Sequence, residues 1–436
     1  MESLWKKETS LPRFEPLRGG IKTDVLIIGG GMAGLLCAHF LKEAGVDYAL
    51  VEAETICSGV TGNTTAKITS QHGLIYADLL RRFGEEKARL YYEANQAAIE
   101  KYRRLCADMD GGFEEKDAYV YSLDGEEKLH RELEALARIG AEASFAETLR
   151  LPFPTAGAVR FPRQAQFHPL RFAAAIAEGL TIYEHSPVRE LAPGAASTDG
   201  GRIRAENILV CTHFPFLNRH GFYYLKMYQN RSYAAAFTGA PDPGGMYLDE
   251  SGKGLSFRSC GDKLILGGGA HRTGKPTGGW SSIEDFARRY YPDARELCRW
   301  AAQDCMSLDG VPYIGPYSAS TRGLYVATGF NKWGMTGSMV AAQLLTDLVL
   351  GRENPYAELF SPSRTILRPQ LAVNGFEAVT GWLTPTAKRC PHLGCALKWN
   401  SQERSWDCPC HGSRFQENGK LLDNPATGDW KGAPEK

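Results

Sequence analysis

Asp24-Val25-Leu26-Ile27-Ile28-Gly29-Gly30-Gly31-Met32-Ala33-Gly34 is the stretch on which the fold of this chain turns. A run of strand-forming apolar residues enters three glycines, and Met32 to Ala44 continues as a helix rich in Leu and Ala, ended by Gly45. Tyr48 to Glu52 then reads as a second strand, so the segment predicts the first half of a parallel sheet. Gly29, Gly31 and Gly34 satisfy G-x-G-x-x-G at a strand exit and a helix start, the context that motif requires. Without β-carbons the backbone approaches a pyrophosphate closely, and the phosphate charge rests on the positive end of the helix. Glu52 is placed to accept hydrogen bonds from a ribose 2′-hydroxyl, and an acid there disfavours a 2′-phosphate.

The 436 residues around this segment allow two or three domains, and 43% hydrophobic with 23% charged residues is a globular composition. The 47 glycines follow no Gly-X-Y period, which excludes a fibrous chain. Lys plus Arg (50) cancels Asp plus Glu (50), so no global field draws the protein to nucleic acid or an anionic membrane. The expected partners are small molecules and proteins. Residues 1–8 are charged and lack the apolar core of a secretory signal, from which a cytoplasmic location is expected. The longest uncharged apolar run, residues 25–41, is short and carries glycines at its middle, so no membrane span is expected.

Farther along, Ala88, Tyr91, Ala94, Ala98, Tyr102 and Leu105 step by three or four and predict a helix over 85–106. Leu129, Leu133, Leu136 and Ile139 repeat that pattern. Strands are expected at 118–123, 207–211, 263–266 and 323–327, the last followed by Gly329 and a helix over about 336–350. Residues 356–374 show no clear period and contain Pro362 and Pro369, as a linker or a wrapping segment would. The expected domains are 1–355, a linker 356–374 and a small domain 375–436.

NAD and FAD share the glycine turn, so the discrimination comes from other segments. Ser58 to Lys67, with Thr61, Thr64 and Thr65, is small, polar and suited to line a cofactor that extends past its pyrophosphate. Asp309-Gly310 and Gly329 to Thr336 put a second glycine turn at a strand end that opens onto a helix, whose partial positive charge favours an anionic reduced flavin. Together with Gln166-Phe-His168-Pro169 and Ile208 to Thr212, these segments resemble the D-amino-acid oxidase (glycine oxidase-like) family of FAD-dependent oxidoreductases over about residues 20–355. The resemblance implies an α/β, Rossmann-like FAD domain with a mixed-sheet substrate subdomain. It also implies a nucleotide side formed by Gly29, Gly31, Met32, Ala33, Gly34, Glu52, Thr61, Thr64, Thr65 and the backbone at Val188. Gly329, Trp333, Gly334, Met335 and Thr336 would face the ring. The pattern leaves the catalytic residues unassigned. Arg231, Arg258, His271 and Lys332 are candidates to meet a substrate, and Gln71 and His72 are candidates to reach the flavin face.

Of eleven cysteines, seven are scattered over the first 305 residues and four lie between Cys390 and Cys410. Cys390-Pro-His392-Leu-Gly-Cys395 and Cys408-Pro-Cys410-His411-Gly-Ser413 form a metal site on donor type and spacing. Two geometries compete: a Rieske centre, with two Cys on one iron and two His on the other, and a tetrahedral zinc site. The motifs resemble the two boxes of a Rieske domain. That resemblance makes Cys390, His392, Cys408 and His411 the ligands of a 2Fe-2S cluster, with Cys395 and Cys410 as candidates for a disulfide that ties the two loops together. Many Rieske proteins carry Tyr two residues after the motif's Ser, whereas this chain has Phe415, so a lowered potential is expected. The short spacing before the first box implies an all-β domain of reduced size, with cover supplied by the FAD domain.

The expectation is an FAD-dependent oxidoreductase that oxidises a small amine or amino acid and passes electrons singly through the cluster to an external acceptor, a protein or a quinone. An oxygen-using oxidase with a structural cluster, and an electron carrier or redox sensor without its own small substrate, are the other readings.

Overall fold

The computed structural model describes residues 1–109, 111–217, 220–251 and 254–430; residues 431–436, the end of the expected C-terminal domain, lie outside them. The strand Ile21–Ile28 is the hub of the first, eight-stranded sheet. It pairs in parallel with Gly201–Val210 on one side and Tyr48–Val51 on the other, and Gly201–Val210 pairs in parallel with Leu324–Thr328. Central parallel strands are covered on both faces, which is why Val25 to Ile28 is apolar without alternation and buried throughout. The helices Met32–Glu43 and Gly334–Val349 follow the two glycine turns, and both bury apolar side chains in one core.

The second sheet has nine strands and is mostly antiparallel. Its order starts Arg295–Ser307, Met227–Thr238, Lys263–Arg272, and its far end includes Glu114–Ser122 and Gly157–Gln166. The long helix Tyr76–Cys106 is interrupted at Gly84, whose φ of 82° no helix accommodates. The regular part therefore begins where the periodicity of Ala88 and Tyr91 begins.

A third sheet of four short antiparallel strands, Lys398–Asn400, Ser405–Asp407, Arg414–Gln416 and Leu421–Asp423, forms the small C-terminal unit. Ahead of it runs the helix Pro369–Leu383, and the expected division between 374 and 375 falls inside that helix. The period was hidden because its outward side is apolar as well: Phe376, Val379, Trp382 and Leu383 are exposed. The stretch before it wraps the first domain. Arg364 pairs with Asp309 (2.8 Å) and lies 4.0 Å over the Tyr313 ring.

Candidate functional site

Gly29 has φ 109°, and a β-carbon there would lie 2.6 Å from the carbonyl oxygen of Cys211. A β-carbon on Gly34 would run into the Gly29 carbonyl, so strand, turn and helix close only with glycine at both positions. The helix begins at Gly31 without a side-chain cap; Met32 and Ala33 open its first turn, and the Met32 N–H donates to Thr61 Oγ1 (3.0 Å). Glu52 accepts from the N–H groups of Gly30 (2.6 Å) and Glu54 (2.9 Å), and burial raises its pKa. Val188 starts the strand Val188–Ala192 and packs against the cluster containing Leu26, Ile28 and Val51.

The loop that follows is held from three sides. Trp5 donates to the Thr64 carbonyl (2.6 Å), Trp300 to the Asn63 carbonyl (2.9 Å), and Arg258 to the carbonyls of Thr65 (2.8 Å) and Ala66 (2.9 Å). At the second turn Gly329 has φ 70°, and Asn331 ties the Gly329 carbonyl (2.6 Å) to the Ser307 N–H (2.8 Å). The helix Gly334–Val349 starts after Trp333, again without a side-chain cap. The Met335 carbonyl accepts from Tyr102 (3.0 Å) and the Thr336 hydroxyl donates to the Thr69 carbonyl (3.1 Å). Two uncapped helix starts, a glycine cradle without room for β-carbons and a buried acid beside it fit an extended dinucleotide.

The basic candidates separate by what they already hold. All the hydrogen bonds recorded for the Arg258 guanidinium go to main-chain carbonyls, those of Phe167 (3.2 Å) and Ser259 (3.0 Å) included; burial lowers its pKa to about 10. It positions the loop and is not free to meet a carboxylate. Arg231 forms an ion pair with Glu403 and is likewise committed. His271 stacks on Tyr233, its Nδ1 lies 2.9 Å from the Arg272 carbonyl, and burial lowers its pKa. Gln71 is buried and donates to the Val159 carbonyl (2.7 Å). His72 is buried with both ring nitrogens engaged, by Tyr91 and Thr69 at 2.7 Å each, and burial pushes its pKa down to about 3. Lys332 differs. It is solvent-exposed, and desolvation lowers the pKa of its amine. Asp304 faces it electrostatically, and burial raises the Asp304 pKa despite Lys332, His213 and Arg231.

The buried thiols of Cys390 and Cys408 are electrostatically coupled neighbours, and the rings of His392 and His411 lie 5.0 Å apart, nearly perpendicular. Cys390 is the more acidic of the two: the Cys408 thiol lowers its pKa, burial opposes that, and the Ser413 hydroxyl lowers it further. The sulfurs of Cys395, Cys408 and Cys410 also lie within 4.8 Å of one another. Cys395 and Cys410 form a disulfide and are thereby removed as ligands, which leaves Cys408 to Cys390. Nδ1 of His411 is buried without a hydrogen-bond partner among the described residues, an arrangement that costs free energy unless a metal takes the lone pair. Two paired thiols opposite two imidazoles fit a Rieske centre.

This unit is docked on the first two sheets. The second cysteine box gives its carbonyls to the larger domain: Pro409 and Cys410 accept from Arg272 (3.0 and 3.1 Å), His411 from Gln229 (3.0 Å) and Gly412 from Gln303 (2.9 Å). The rings of Tyr224 and His411 lie edge to face, with centroids 6.1 Å apart. Sequence reasoning missed Gln229, Arg272 and Gln303, which belong to no motif. It missed Trp5 and Ser3 too, although the helix Leu4–Glu8 packs directly over the Thr61 to Thr65 loop.

Among the described residues no helix is long and apolar enough to cross a membrane. Residues 24–348 match the FAD dependent oxidoreductase family, and residues 364–434 match the Rieske [2Fe-2S] domain. The Rieske 2Fe-2S iron-sulfur protein YhfW of Bacillus subtilis is 36% identical over 496 aligned residues, covering 98% of this chain and 96% of that protein. Gamma-glutamylputrescine oxidoreductase of Escherichia coli is 25% identical over 216 residues, 45% of this chain and 50% of that one. Glycine oxidase from Geobacillus kaustophilus has the same fold, with a TM-score of 0.66, 22% identity, and coverage of 79% of this chain and 99% of that one. An FAD-type glycine turn, a second glycine turn opening onto an uncapped helix and a docked Cys/His centre thus sit on one chain, which belongs to the FAD dependent oxidoreductase family and carries a C-terminal Rieske 2Fe-2S domain.

Proposed function

We propose that this protein oxidises a small amine or amino acid at its flavin site and delivers the electrons one at a time, through its iron-sulfur site, to an external acceptor, a protein or a quinone, in the cytoplasm. Bound FAD supplies two-electron acceptance from a C–H bond beside nitrogen, and a 2Fe-2S cluster supplies one-electron steps. The balance is an amine giving an imine, two protons and two electrons, the electrons leaving to two equivalents of a one-electron acceptor.

In this reading Gly29, Gly31 and Gly34 cradle the pyrophosphate and Glu52 holds the ribose, while Thr61, Thr64, Thr65 and the Val188 backbone line the nucleotide side. Gly329 to Thr336 face the ring. Cys390, His392, Cys408 and His411 hold the cluster. Lys332 and Asp304, which interact electrostatically beside the second turn, are the charged pair available to a substrate, Lys332 for an anionic group and Asp304 for a cationic one. The amine class is supported by the E. coli relative, named for an oxidoreductase of gamma-glutamylputrescine. The observation that carries the electron-transfer reading is the docking: the His411 ring contacts Tyr224 of the flavin-binding body, so the cluster's histidine side faces inward.

The test has two parts. Metal analysis with EPR of the dithionite-reduced protein should give iron and a Rieske-type signal, and zinc without that signal would overturn the cluster. An anaerobic screen of amines and amino acids should then find a donor that bleaches the flavin and reduces the cluster. Stoichiometric peroxide in air with unchanged turnover in His411→Ala would instead assign an oxidase with a structural centre.

A further inference from the structure

Between the two expected cofactor sites lies a short piece of chain, residues 211–214, that both domains grip. It leaves the strand Gly201–Val210 with the Cys211 carbonyl against the first glycine turn. The next three carbonyls are each taken. Asn424 of the Rieske domain donates its side-chain amide to the carbonyls of Thr212 (2.7 Å) and Phe214 (3.0 Å). The His213 carbonyl between them accepts from the hydroxyl of Thr328, the residue directly before Gly329 in the second turn. His213 is held at φ 66°, a left-handed conformation that a non-glycine residue keeps only where its surroundings over-determine it.

Phe214, fully buried, is where this piece of chain ends against the cluster ligands. Its ring centroid is 6.4 Å from that of His392 and 6.4 Å from that of His411, edge-on to both. A hydrogen bond from the ring-facing turn, one peptide unit and one aromatic ring thus span the distance from Gly329 to both histidines. We propose that Thr328, His213 and Phe214 form the coupling element through which electrons cross between the flavin site and the iron-sulfur site. This rests on the function proposed above, and the step is the passage of single electrons with no bond made or broken in the element itself. Phe214 and Thr328 are positioning residues. They fix the contact between two sites and touch no substrate.

The test uses the full chain with both cofactors and light-driven reduction of the bound flavin with EDTA as donor, so no substrate need be known. Phe214→Leu, which keeps an apolar side chain but removes the ring, and Thr328→Val, which removes only the hydroxyl, should each slow cluster reduction on the order of tenfold. The flavin spectrum, the cluster's EPR line shape and the iron content should stay at wild-type values. Asn424→Ala should increase hydrogen exchange at the amides of residues 211–214, a readout that needs no turnover. Wild-type transfer rates in both Phe214→Leu and Thr328→Val would overturn the element. Should Phe214→Leu fail to load its cluster, Thr328→Val decides alone, with a wild-type rate counting against the proposal. A wild-type cluster that stays oxidised while its own flavin is reduced would instead overturn the underlying function.

Discussion

The Trp333 indole lies flat against the His72 imidazole, with ring centroids 4.8 Å apart and planes inclined by 15°. Trp333 leads into the helix that follows the second glycine turn, and His72 follows the Thr-rich loop, so the stack fastens the two segments expected to enclose the flavin ring. The proton sits on Nε2, which donates to the Thr69 carbonyl, while Nδ1 accepts from Tyr91. Burial holds the folded pKa near 3, below the ordinary 6.5. The unfolded chain therefore takes up a proton first as pH falls, and the contribution of neutral His72 is lost progressively between about 6.5 and 3. His72→Gln should cost about 1 to 3 kcal/mol at pH 7.5, because buried partners lose their bonds. In urea unfolding, the gap between wild type and variant should shrink markedly by pH 4.5. A gap independent of pH would show that His72 is not held neutral.

Gly34 offers a sharper cut at the nucleotide side. Its α-carbon faces the Gly29 carbonyl so closely that any β-carbon must push strand and helix apart. Overpacking of this kind costs about 1 to 3 kcal/mol, so Gly34→Ala should lower flavin affinity about tenfold or more. The Rieske EPR signal should persist, since the clash is remote from the cysteine boxes. Flavin content after desalting measures the first effect, and full flavin retention would contradict the cradle.

Much of this architecture is written locally in the chain. The apolar run Val25 to Ile28 followed by glycines is a pattern with one physical solution, and the periodicity of Ala88 to Leu105 follows from packing one face of a helix. Docking is not local in that sense. Gln229 and Arg231 alternate on one strand, and Cα pairing sets Gln303 opposite Arg231 and Arg272 opposite Asn230 on the two neighbours. Read alone, Gln229 to Ser232 is a polar, solvent-facing stretch. Gln229 and Arg231 are buried, and their side chains bond His411, Asn424 and Glu403 of the C-terminal unit. The Pro369–Leu383 helix escapes a periodic reading for the opposite reason, having apolar residues on its exposed side.

Phe415 bears on the redox poise. It is fully buried, lies opposite Trp406 in the strand pair and packs in the small core with Cys390 and Cys408. Ser413 accepts from the Ala426 N–H (3.0 Å), which leaves its own hydrogen for the Cys390 sulfur. Hydrogen bonds to sulfur raise the potential of a cluster, so Phe415→Tyr should shift it upward and Ser413→Ala downward. Film voltammetry reads both. No upward shift in a Tyr variant that keeps its Rieske spectrum would refute the role given to the missing hydroxyl.

The ion-pair knot at the domain interface decides at what pH the two sites stay together. Arg231 pairs with Glu403 while approaching Asp423 at 3.7 Å, and Arg414 pairs with Glu403 (3.0 Å), Asp407 (3.0 Å) and Asp423 (2.9 Å). Three carboxylates share two guanidiniums, so Arg231→Met leaves one arginine facing all three acids. Breaking a buried pair in this way costs about 3 to 5 kcal/mol, far more than a surface pair. The variant should unfold or release the small domain, visible as new protease cleavage in residues 356–374 and faster hydrogen exchange at Tyr224. Burial alone would raise the carboxyl pKa values, but Arg231 and Arg414 outweigh it and hold Glu403 and Asp423 below their ordinary 4.5 and 3.8. Because the folded values are depressed, this stabilisation is complete above about pH 4.5 and is lost as pH falls through the folded values. Wild-type docking should therefore be indifferent to pH between 5.5 and 8 and fail only in strong acid. Domain release in the mildly acidic range would mean that the knot does not hold the interface.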